Sequence, residues 1–285
     1  MMEIISSGMS KAYISKRGAF VSSLKLGSTS VFKRTSDRHQ THGGMAILIP
    51  YADIISNAKF QWQGREYKLP KNSKYEHDIV NSIHGLVKEK PWHIKKRNTD
   101  SLEMNFNLEH RGYPSILDIT VKYSVTGNKF ITEFKVKNIG LSVTPIMCGA
   151  HPYFTYDSFW QLQCDDRVKW LRNITSKKNS PIKISTEEID CKSLNSRNNR
   201  LFDDAFEGGG KINLLSADRI ITLKRHNMPF FELYNGKYAQ GKSVAIEPIT
   251  GAPNSYNNGY GLESIEINET FKCGFSISLK SMDFP

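Results

Sequence analysis

The chain has 285 residues, 39% hydrophobic, 11% aromatic and 24% charged, which is typical of a folded globular protein and excludes a disordered chain. Its net charge of +11 comes from basic residues spread along the chain, with short clusters such as Lys95, Lys96 and Arg97, or Lys177 and Lys178. No long basic arm occurs, so we interpret the charge as a solvated surface rather than a nucleic-acid footprint. The positive charge is also compatible with an anionic substrate.

The cysteines and the start of the chain favour a reduced, cytoplasmic protein. Cys148, Cys164, Cys191 and Cys273 lie far apart, without a CxxC pair or a His at metal-ligand spacing, so neither zinc nor a redox motif is predicted. Two disulfides are possible, but the N-terminal segment lacks the basic and apolar parts of a signal peptide. The longest apolar stretch, 46–52, is far shorter than the roughly 20 residues of a membrane helix.

Short β-strands are predicted along the whole chain, and helices are sparse. The clearest signal is a hairpin over 117–139, where apolar and polar residues alternate on both sides of Gly127 and Asn128. Glycine- and asparagine-rich turns, rather than amphipathic helices, separate the candidates. The further predicted strands are 12–14, 19–25, 102–108, 160–164, 220–225, 230–234, 244–246, 263–267 and 275–279.

This pattern predicts an all-β protein that is one large antiparallel sandwich with few short helices. Many short strands occur over 1–285 without a Pro- or Ser-rich linker, which favours a single domain over two. We interpret the Asn-, Ser- and Lys-rich stretch 173–200 as a long surface connection.

Three motifs place a titratable residue among turn formers or aromatics, where we expect strands to end and a pocket to open. In the first, Gly149-Ala150-His151-Pro152-Tyr153-Phe154, the proline holds His151 extended, and two aromatic rings beside it can wall a site. Alone this motif is weak, because an isolated histidine is more often structural.

The second motif, Glu247-Pro248-Ile249-Thr250-Gly251-Ala252-Pro253-Asn254, follows the apolar strand 244–246. We expect Glu247 at the end of that strand, where partial burial would raise its pKa and make it a base near neutral pH. A carboxylate that caps the turn or pairs with a surface lysine is an equal alternative.

The third motif is Asn81-Ser82-Ile83-His84-Gly85-Leu86, followed by Pro91-Trp92. Gly85 beside His84 allows a close backbone approach, and we assign Trp92 to core packing rather than to a sugar-stacking role.

Together with Gly44 to Ala52 and Asp203-Asp204-Ala205-Phe206, these motifs resemble the aldose 1-epimerase family in their order over residues 44–254. The pairing of His-Pro-Tyr-Phe with Glu-Pro-x-Thr-Gly-x-Pro-Asn about a hundred residues later is its specific feature. The resemblance implies a galactose mutarotase-like supersandwich that binds a hexose without a metal or an organic cofactor.

The resemblance also implies roles for individual residues. His151 is the acid that faces the ring oxygen, and Glu247 is the base that faces the anomeric hydroxyl. His84, Asp203, Tyr153 and Asp53 are substrate-binding candidates, with the adjacent Asp204 as an alternative to Asp203. The expected partner is a small sugar, with no nucleic acid and no membrane, and the expected assembly is a monomer or homodimer.

One segment departs from the family. Where relatives read Pro-x-Ala-Asn-Arg, this chain reads Pro50-Tyr51-Ala52-Asp53-Ile54. Isoleucine cannot donate hydrogen bonds, so the forked donor that would hold sugar hydroxyls is lost, which bears on substrate identity more than on the acid and base.

The resemblance implies an anomer-interconverting enzyme, in which we expect Glu247 to be ionised and His151 protonated, because each charge favours the other. Three alternatives remain: a non-catalytic carbohydrate-binding protein of the same fold, a glycoside hydrolase using Asp203 and Glu247, and a nucleic-acid-binding protein that rests on net charge alone.

Overall fold

A computed structural model describes residues 2–35, 37, 39–75, 78–172, 184–239 and 243–282. The prediction of a strand-rich protein with few short helices is confirmed for these residues. The strands are β1 (Met2–Ser7), β2 (Ser10–Ser15), β3 (Val21–Leu26), β4 (Thr29–Ser30), β5 (Met45–Leu48), β6 (Ile54–Ile55), β7 (Lys59–Trp62), β8 (Arg65–Lys68), β9 (Ser73–Tyr75), β10 (Asp78–Ile83), β11 (His93–Arg97), β12 (Ser101–Leu108), β13 (Leu117–Thr126), β14 (Lys129–Asn138), β15 (Thr144–Ile146), β16 (Gly149–Thr155), β17 (Gln161–Cys164), β18 (Val168–Arg172), β19 (Ser185–Ile189), β20 (Asp203–Glu207), β21 (Lys211–Leu215), β22 (Arg219–His226), β23 (Phe230–Tyr234), β24 (Ser243–Ile249), β25 (Glu263–Ile265) and β26 (Thr270–Ser281). One α-helix, α1 (Ser255–Asn258), and the 3₁₀ helices Ser56–Ala58, Cys191–Ser193 and Ser196–Asn198 complete the described elements. No helix in these ranges is long and apolar enough to cross a membrane.

Two large antiparallel sheets form the sandwich. Counted over the described residues, the larger has 11 strands in the order β1-β2-β3-β5-β16-β24-β23-β20-β18-β19, with β4 beside β3. The second has 8 strands in the order β11-β12-β13-β14-β26-β22-β21-β17. Small sheets pair β6 with β10 and β9, β15 with β25, and β7 with β8.

The predicted hairpin over 117–139 is confirmed as β13 and β14. Val125 lies opposite Phe130, and the chain turns at Gly127, whose φ of 53° is in the left-handed region that glycine tolerates. The alternating residues Ile119, Val121 and Tyr123 are fully buried, while Lys122 between them is exposed. Period-two patterning therefore predicted both the strands and the face that packs on the core.

One contiguous cluster of buried apolar side chains joins the two sheets. Across it, the Tyr123 hydroxyl of the second sheet donates to the carbonyl oxygen of Ala19, just before β3 (2.6 Å). Trp92 is a core residue, as predicted, and its Nε1 donates to the Val87 carbonyl oxygen (3.2 Å). The central strand β24 is buried at every residue, so its second face is covered as well.

The expectation of four reduced cysteines is wrong for one pair. Cys164, at the end of β17, forms a disulfide with Cys191, and their Cα atoms are 5.7 Å apart. The backbone N–H of Leu162 donates to the Leu194 carbonyl oxygen (2.9 Å) and so holds the segment after Cys191 against β17. Cys148 and Cys273 are buried free thiols. Disulfides are typical of oxidising compartments, so a cytoplasmic location stays a prediction.

The predicted surface connection over 173–200 is only partly a loop. Residues 173–183, which include Lys177 and Lys178, lie outside the described part of the chain. Beyond them, β19 pairs with β18 at the edge of the larger sheet. The strand escaped prediction because its sequence, Ser185–Ile189, is polar and almost wholly exposed.

Candidate active site

The larger sheet brings His151 and Glu247 together on neighbouring strands. Gly149 pairs with Ile249 and Tyr153 with Ala245, which places His151 of β16 opposite Glu247 of β24. Directly opposed residues of antiparallel strands point to the same face. The His151 Nε2 atom lies 3.2 Å from Glu247 Oε1. Both residues lie inside strands rather than at strand ends, which corrects the expected placement.

Both side chains are almost completely buried. His151 is 4% exposed and Glu247 is 2% exposed. Burial lowers the pKa of His151 to about 3, and it raises the pKa of Glu247 well above the usual value, with the charges of Asp53 and Asp203 adding to the increase. Both shifts favour the neutral carboxyl and the neutral imidazole over the expected ionised pair.

His84 joins the pair from the turn that follows β10. Its ring centroid is 5.4 Å from that of His151, and burial lowers its pKa, with the charges of His151 and Lys88 adding to the effect. The backbone of His84 has a φ of 59°, and its N–H donates to the Asp53 carbonyl oxygen (2.8 Å). This left-handed conformation is uncommon for a non-glycine residue and is held by the surrounding hydrogen bonds.

Gly85 makes the close backbone approach that the sequence predicted. A Cβ atom at Gly85 would lie 2.3 Å from the Ile49 carbonyl oxygen, and the φ of Gly85 is 72°. The same Ile49 oxygen accepts from the Leu86 N–H (2.8 Å). A side chain at position 85 would therefore clash with the Ile49 backbone, and the turn that carries His84 would have to shift.

Asp53 interacts electrostatically with the carboxyl groups of Asp203 and Glu247. Burial raises its pKa to about 7, and the neighbouring Asp203 carboxylate adds to the increase. Ile54, which stands where the resemblance implied an arginine, pairs with Ile83 between β6 and β10. The backbone therefore holds position 54 beside His84 and Asp53, but its side chain supplies no hydrogen-bond donor.

Asp203 and Asp204 lie on opposite faces of the sheet. Asp203 pairs with Tyr234, whose ring lies 6.4 Å from that of His151, so Asp203 is on the same face as the histidine. Partial burial raises the pKa of Asp203, and the adjacent Asp204 adds to the increase. Asp204 points to the other face, where it accepts from Trp170 Nε1 (3.0 Å). This placement favours Asp203 over Asp204 as the site carboxylate.

Tyr153 packs against the histidine. Its ring stacks on His151 with centroids 4.7 Å apart and an interplanar angle of 11°. Its hydroxyl donates to the Thr41 carbonyl oxygen (2.7 Å), and the residue is 1% exposed. The contacts orient the His151 ring, while the predicted sugar contact of Tyr153 stays a prediction.

Sequence reasoning missed Glu232. It pairs directly with Glu247 across β23 and β24, and it is 5% exposed. The sequence did contain one indication of it: Glu232 is the single acidic residue inside the apolar run Phe230–Tyr234. Such a position is unusual because buried carboxyl groups carry a high desolvation cost.

The fold and these residues define a galactose mutarotase-like sandwich. The structure superposes on a galactose mutarotase-like protein from Clostridium acetobutylicum with a TM-score of 0.80 at 16% identity, covering 98% of this chain and 95% of that one. A galactose mutarotase related enzyme from Lactobacillus acidophilus gives a TM-score of 0.78 at 17% identity, covering 99% and 98%. The predicted fold class is confirmed.

The sequence matches the aldose 1-epimerase family over residues 2–271. The chain belongs to this family. It is also 24% identical over 245 residues to the uncharacterized protein YihR of Escherichia coli (strain K12), covering 81% of this chain and 77% of YihR.

Proposed function

We propose that the protein is an isomerase that interconverts the α- and β-anomers of a hexose. The observation that carries this proposal is the 3.2 Å contact between the imidazole of His151 and the carboxyl group of Glu247, two buried groups that lie far apart in the sequence. Opening a hemiacetal requires one group that removes the anomeric proton and one that protonates the ring oxygen. This pair supplies both.

The pair holds one proton, and the reaction moves it. In the ionic form, His151 is protonated and Glu247 is a carboxylate that accepts the anomeric O–H of the sugar. Glu247 then takes the anomeric proton while His151 protonates the ring oxygen, so that the C1=O bond forms as the bond from C1 to the ring oxygen breaks. Rotation about C1–C2 presents the other face of the aldehyde, and the reverse transfers close the ring.

Burial favours the form of the pair that follows ring opening. After both proton transfers Glu247 is a neutral acid and His151 a neutral imidazole, and the pKa shifts of both residues favour these forms. A sugar hydroxyl that donates to the carboxylate stabilises the ionic form before the reaction. Each positioned proton donor or acceptor contributes on the order of 10² to 10⁴ in rate.

The remaining side chains of this face are suited to hold sugar hydroxyls. Asp203 and Asp53 offer carboxyl oxygens, and His84 has a buried Nδ1 without a hydrogen-bond partner among the described residues. We assign these three residues to substrate binding, with a small sugar as the partner and no organic cofactor or metal in the reaction.

Polarimetry on freshly dissolved α-glucose and α-galactose tests the proposal. An enzyme of this kind accelerates the change in optical rotation in proportion to its concentration. A protein that binds the sugar but leaves the rate at its spontaneous value would be a carbohydrate-binding protein. Release of reducing sugar from a methyl glycoside would instead indicate a hydrolase with Asp203 and Glu247 as its carboxyl pair.

A further inference from the structure

A half-buried lysine that the proposed reaction does not use lies beside the two histidines of the site. Lys88 is in the segment that follows His84, and its Nζ atom donates to the Ile83 carbonyl oxygen (3.2 Å). Burial is the main cause of the low pKa values of His84 and His151, and the charge of Lys88 lowers both further. Because the interaction between charges weakens with distance, the Lys88 ammonium group lies on the histidine side of the site.

The Lys88 ammonium group has hydrogen-bonding capacity that the chain does not use. It carries three N–H donors, and among the described residues the Ile83 oxygen is its one hydrogen-bond acceptor. Burial lowers the pKa of Lys88, and the charge of Glu89 opposes this effect, but the Glu89 carboxylate itself pairs with Arg17 (3.3 Å). A partly buried cation is costly unless an anion or further hydrogen bonds compensate it. Lys88 is therefore suited to hold an anion.

The backbone holds Lys88 in place before any ligand binds. A Cβ atom at Gly18 would lie 1.8 Å from the Lys88 carbonyl oxygen, so the two segments are in close contact. The Gly18 N–H donates to the Lys90 carbonyl oxygen (2.7 Å), and the Lys90 N–H donates to that of Val87 (3.1 Å). A cation on such a constrained segment is preorganised, because binding does not have to order its backbone.

We propose that Lys88 is a specificity-determining residue that binds an anionic group on C6 of the hexose. The inference rests on the proposed function, because it takes the orientation of the sugar from the reaction. Glu247 contacts the anomeric hydroxyl on C1, and His151 protonates the ring oxygen, which joins C1 to C5. Since C5 carries C6, the C6 substituent lies beyond the ring oxygen, on the side of His151 where Lys88 is found. A phosphate or a carboxylate at C6 supplies the anion.

The carboxyl groups of the site do not exclude an anionic substrate. Burial raises the pKa of Asp53 to about 7, and it raises the pKa values of Asp203 and Glu247 as well. These groups therefore carry less negative charge at neutral pH than exposed carboxylates do. Asp53 and Asp203 also raise the pKa of Glu247, whereas the charge of Lys88 acts on the two histidines. The site thus offers carboxyl groups for sugar hydroxyls and a separate cation for an anionic substituent.

Anomer exchange followed by NMR tests the inference. The exchange of the two anomeric protons at equilibrium is measured for glucose, glucose 6-phosphate and glucuronate, and the spontaneous rate of each sugar is subtracted. We expect the wild-type kcat/KM for one of the anionic sugars to exceed that for glucose by about ten- to a hundredfold, as one charge-assisted hydrogen bond contributes. The preferred anionic sugar then identifies the group as phosphate or carboxylate. A wild-type protein that prefers neither anionic sugar to glucose would overturn the inference.

Two variants of Lys88 assign the preference to this residue. The ratio of kcat/KM for the preferred anionic sugar to that for glucose should fall about tenfold or more in Lys88→Gln and return towards the wild-type ratio in Lys88→Arg, which restores a cation. Lys90→Gln makes the same chemical change at an exposed residue of the same segment, and it should leave the ratio in place. A wild-type ratio in folded Lys88→Gln would contradict the inference.

Failure of the proposed function gives a different result. A wild-type protein that accelerates the exchange of none of the three sugars would refute the reaction, while calorimetry would still decide the role of Lys88. The Kd of glucose 6-phosphate or glucuronate should be lower than that of glucose, and it should rise about tenfold or more in Lys88→Gln. Equal Kd values for the wild type and Lys88→Gln would overturn the inference.

Discussion

Asn254 holds the segment that contains Ile54 against the loop that follows Glu247. The backbone N–H of Asn254 donates to the Ile54 carbonyl oxygen (3.0 Å), and its side-chain Oδ1 accepts from the Ser56 N–H (3.0 Å). Asn254 is fully buried. These two bonds help to hold together the segments that follow Asp53 and Glu247, which lie almost two hundred residues apart in the sequence.

We expect Ile54→Arg to strengthen the binding of glucose or galactose. The new guanidinium would supply the forked donor that Ile54 lacks and could donate paired hydrogen bonds to sugar hydroxyls, and a charge-assisted bond contributes about 1.5 to 3 kcal/mol. The expected result is a fall in KM and in the calorimetric Kd of about tenfold.

The matched control for this substitution is Ile267→Arg. Ile267 is 44% exposed in the part of the chain that follows β25, so the same added charge should leave sugar affinity unchanged. Equal affinities for the wild type and Ile54→Arg would mean that the pocket differs from those of its relatives at other positions too.

Asp53 should make the protein less stable as the pH rises. Its pKa is about 7 in the folded protein, above the 3.8 of an unperturbed aspartate. Between these values the folded state binds more protons than the unfolded state, so this group lowers the free energy of unfolding as pH increases, and the full loss is present above about pH 7. Below pH 3.8 the group contributes nothing.

Asp53→Asn removes the titrating carboxyl and, with it, the loss of stability at high pH. We expect its free energy of unfolding in urea to exceed that of the wild type by about 4 kcal/mol at pH 8 and by less than half of that at pH 5. Asp165→Asn, at a residue whose side chain is 62% exposed, is the control and should change stability little at either pH. A difference between Asp53→Asn and the wild type that is the same at both pH values would show that Asp53 does not titrate as described.

The disulfide between Cys164 and Cys191 should stabilise the fold. The two cysteines are separated by 27 residues, and closing a loop of this length stabilises a protein by about 3 kcal/mol in the chain-entropy description. Thiol titration of the denatured, unreduced protein should find two free thiols, and Cys191→Ser should lower the free energy of unfolding by about that amount.

Reductant should destabilise the wild type but not Cys191→Ser, which has no disulfide to lose. Four titratable thiols in the purified protein would contradict the pairing.

The sequence predicted most clearly the strands that have one polar face. β13 and β14 alternate so regularly that the hairpin, its turn and its buried face all followed from the period. β16 gave no such signal because its residues 149–154 are buried on both faces. The motif around His151 was therefore recognised by its residue types, and the strand in which it lies was not predicted.

The site could be predicted only as far as its motifs extend. His84, His151 and Glu247 lie in recognisable segments, and the structure brings them together. The position of the shared proton depends on burial, which motif spacing does not reveal. Glu232 lies in no motif, and its place beside Glu247 comes from strand register: a shift of one residue between β23 and β24 would turn it to the other face.

The most direct test of the account compares mutarotation of α-galactose and α-glucose by the wild type, Glu247→Gln and His151→Asn, with Glu133→Gln, at a half-exposed residue paired with Lys122, as the control. We expect the wild type and the control to accelerate anomer exchange. Both site variants should lose at least a hundredfold in kcat while keeping a cooperative unfolding transition. A Glu247→Gln variant that is folded and exchanges anomers at a rate near that of the wild type would contradict the central claim.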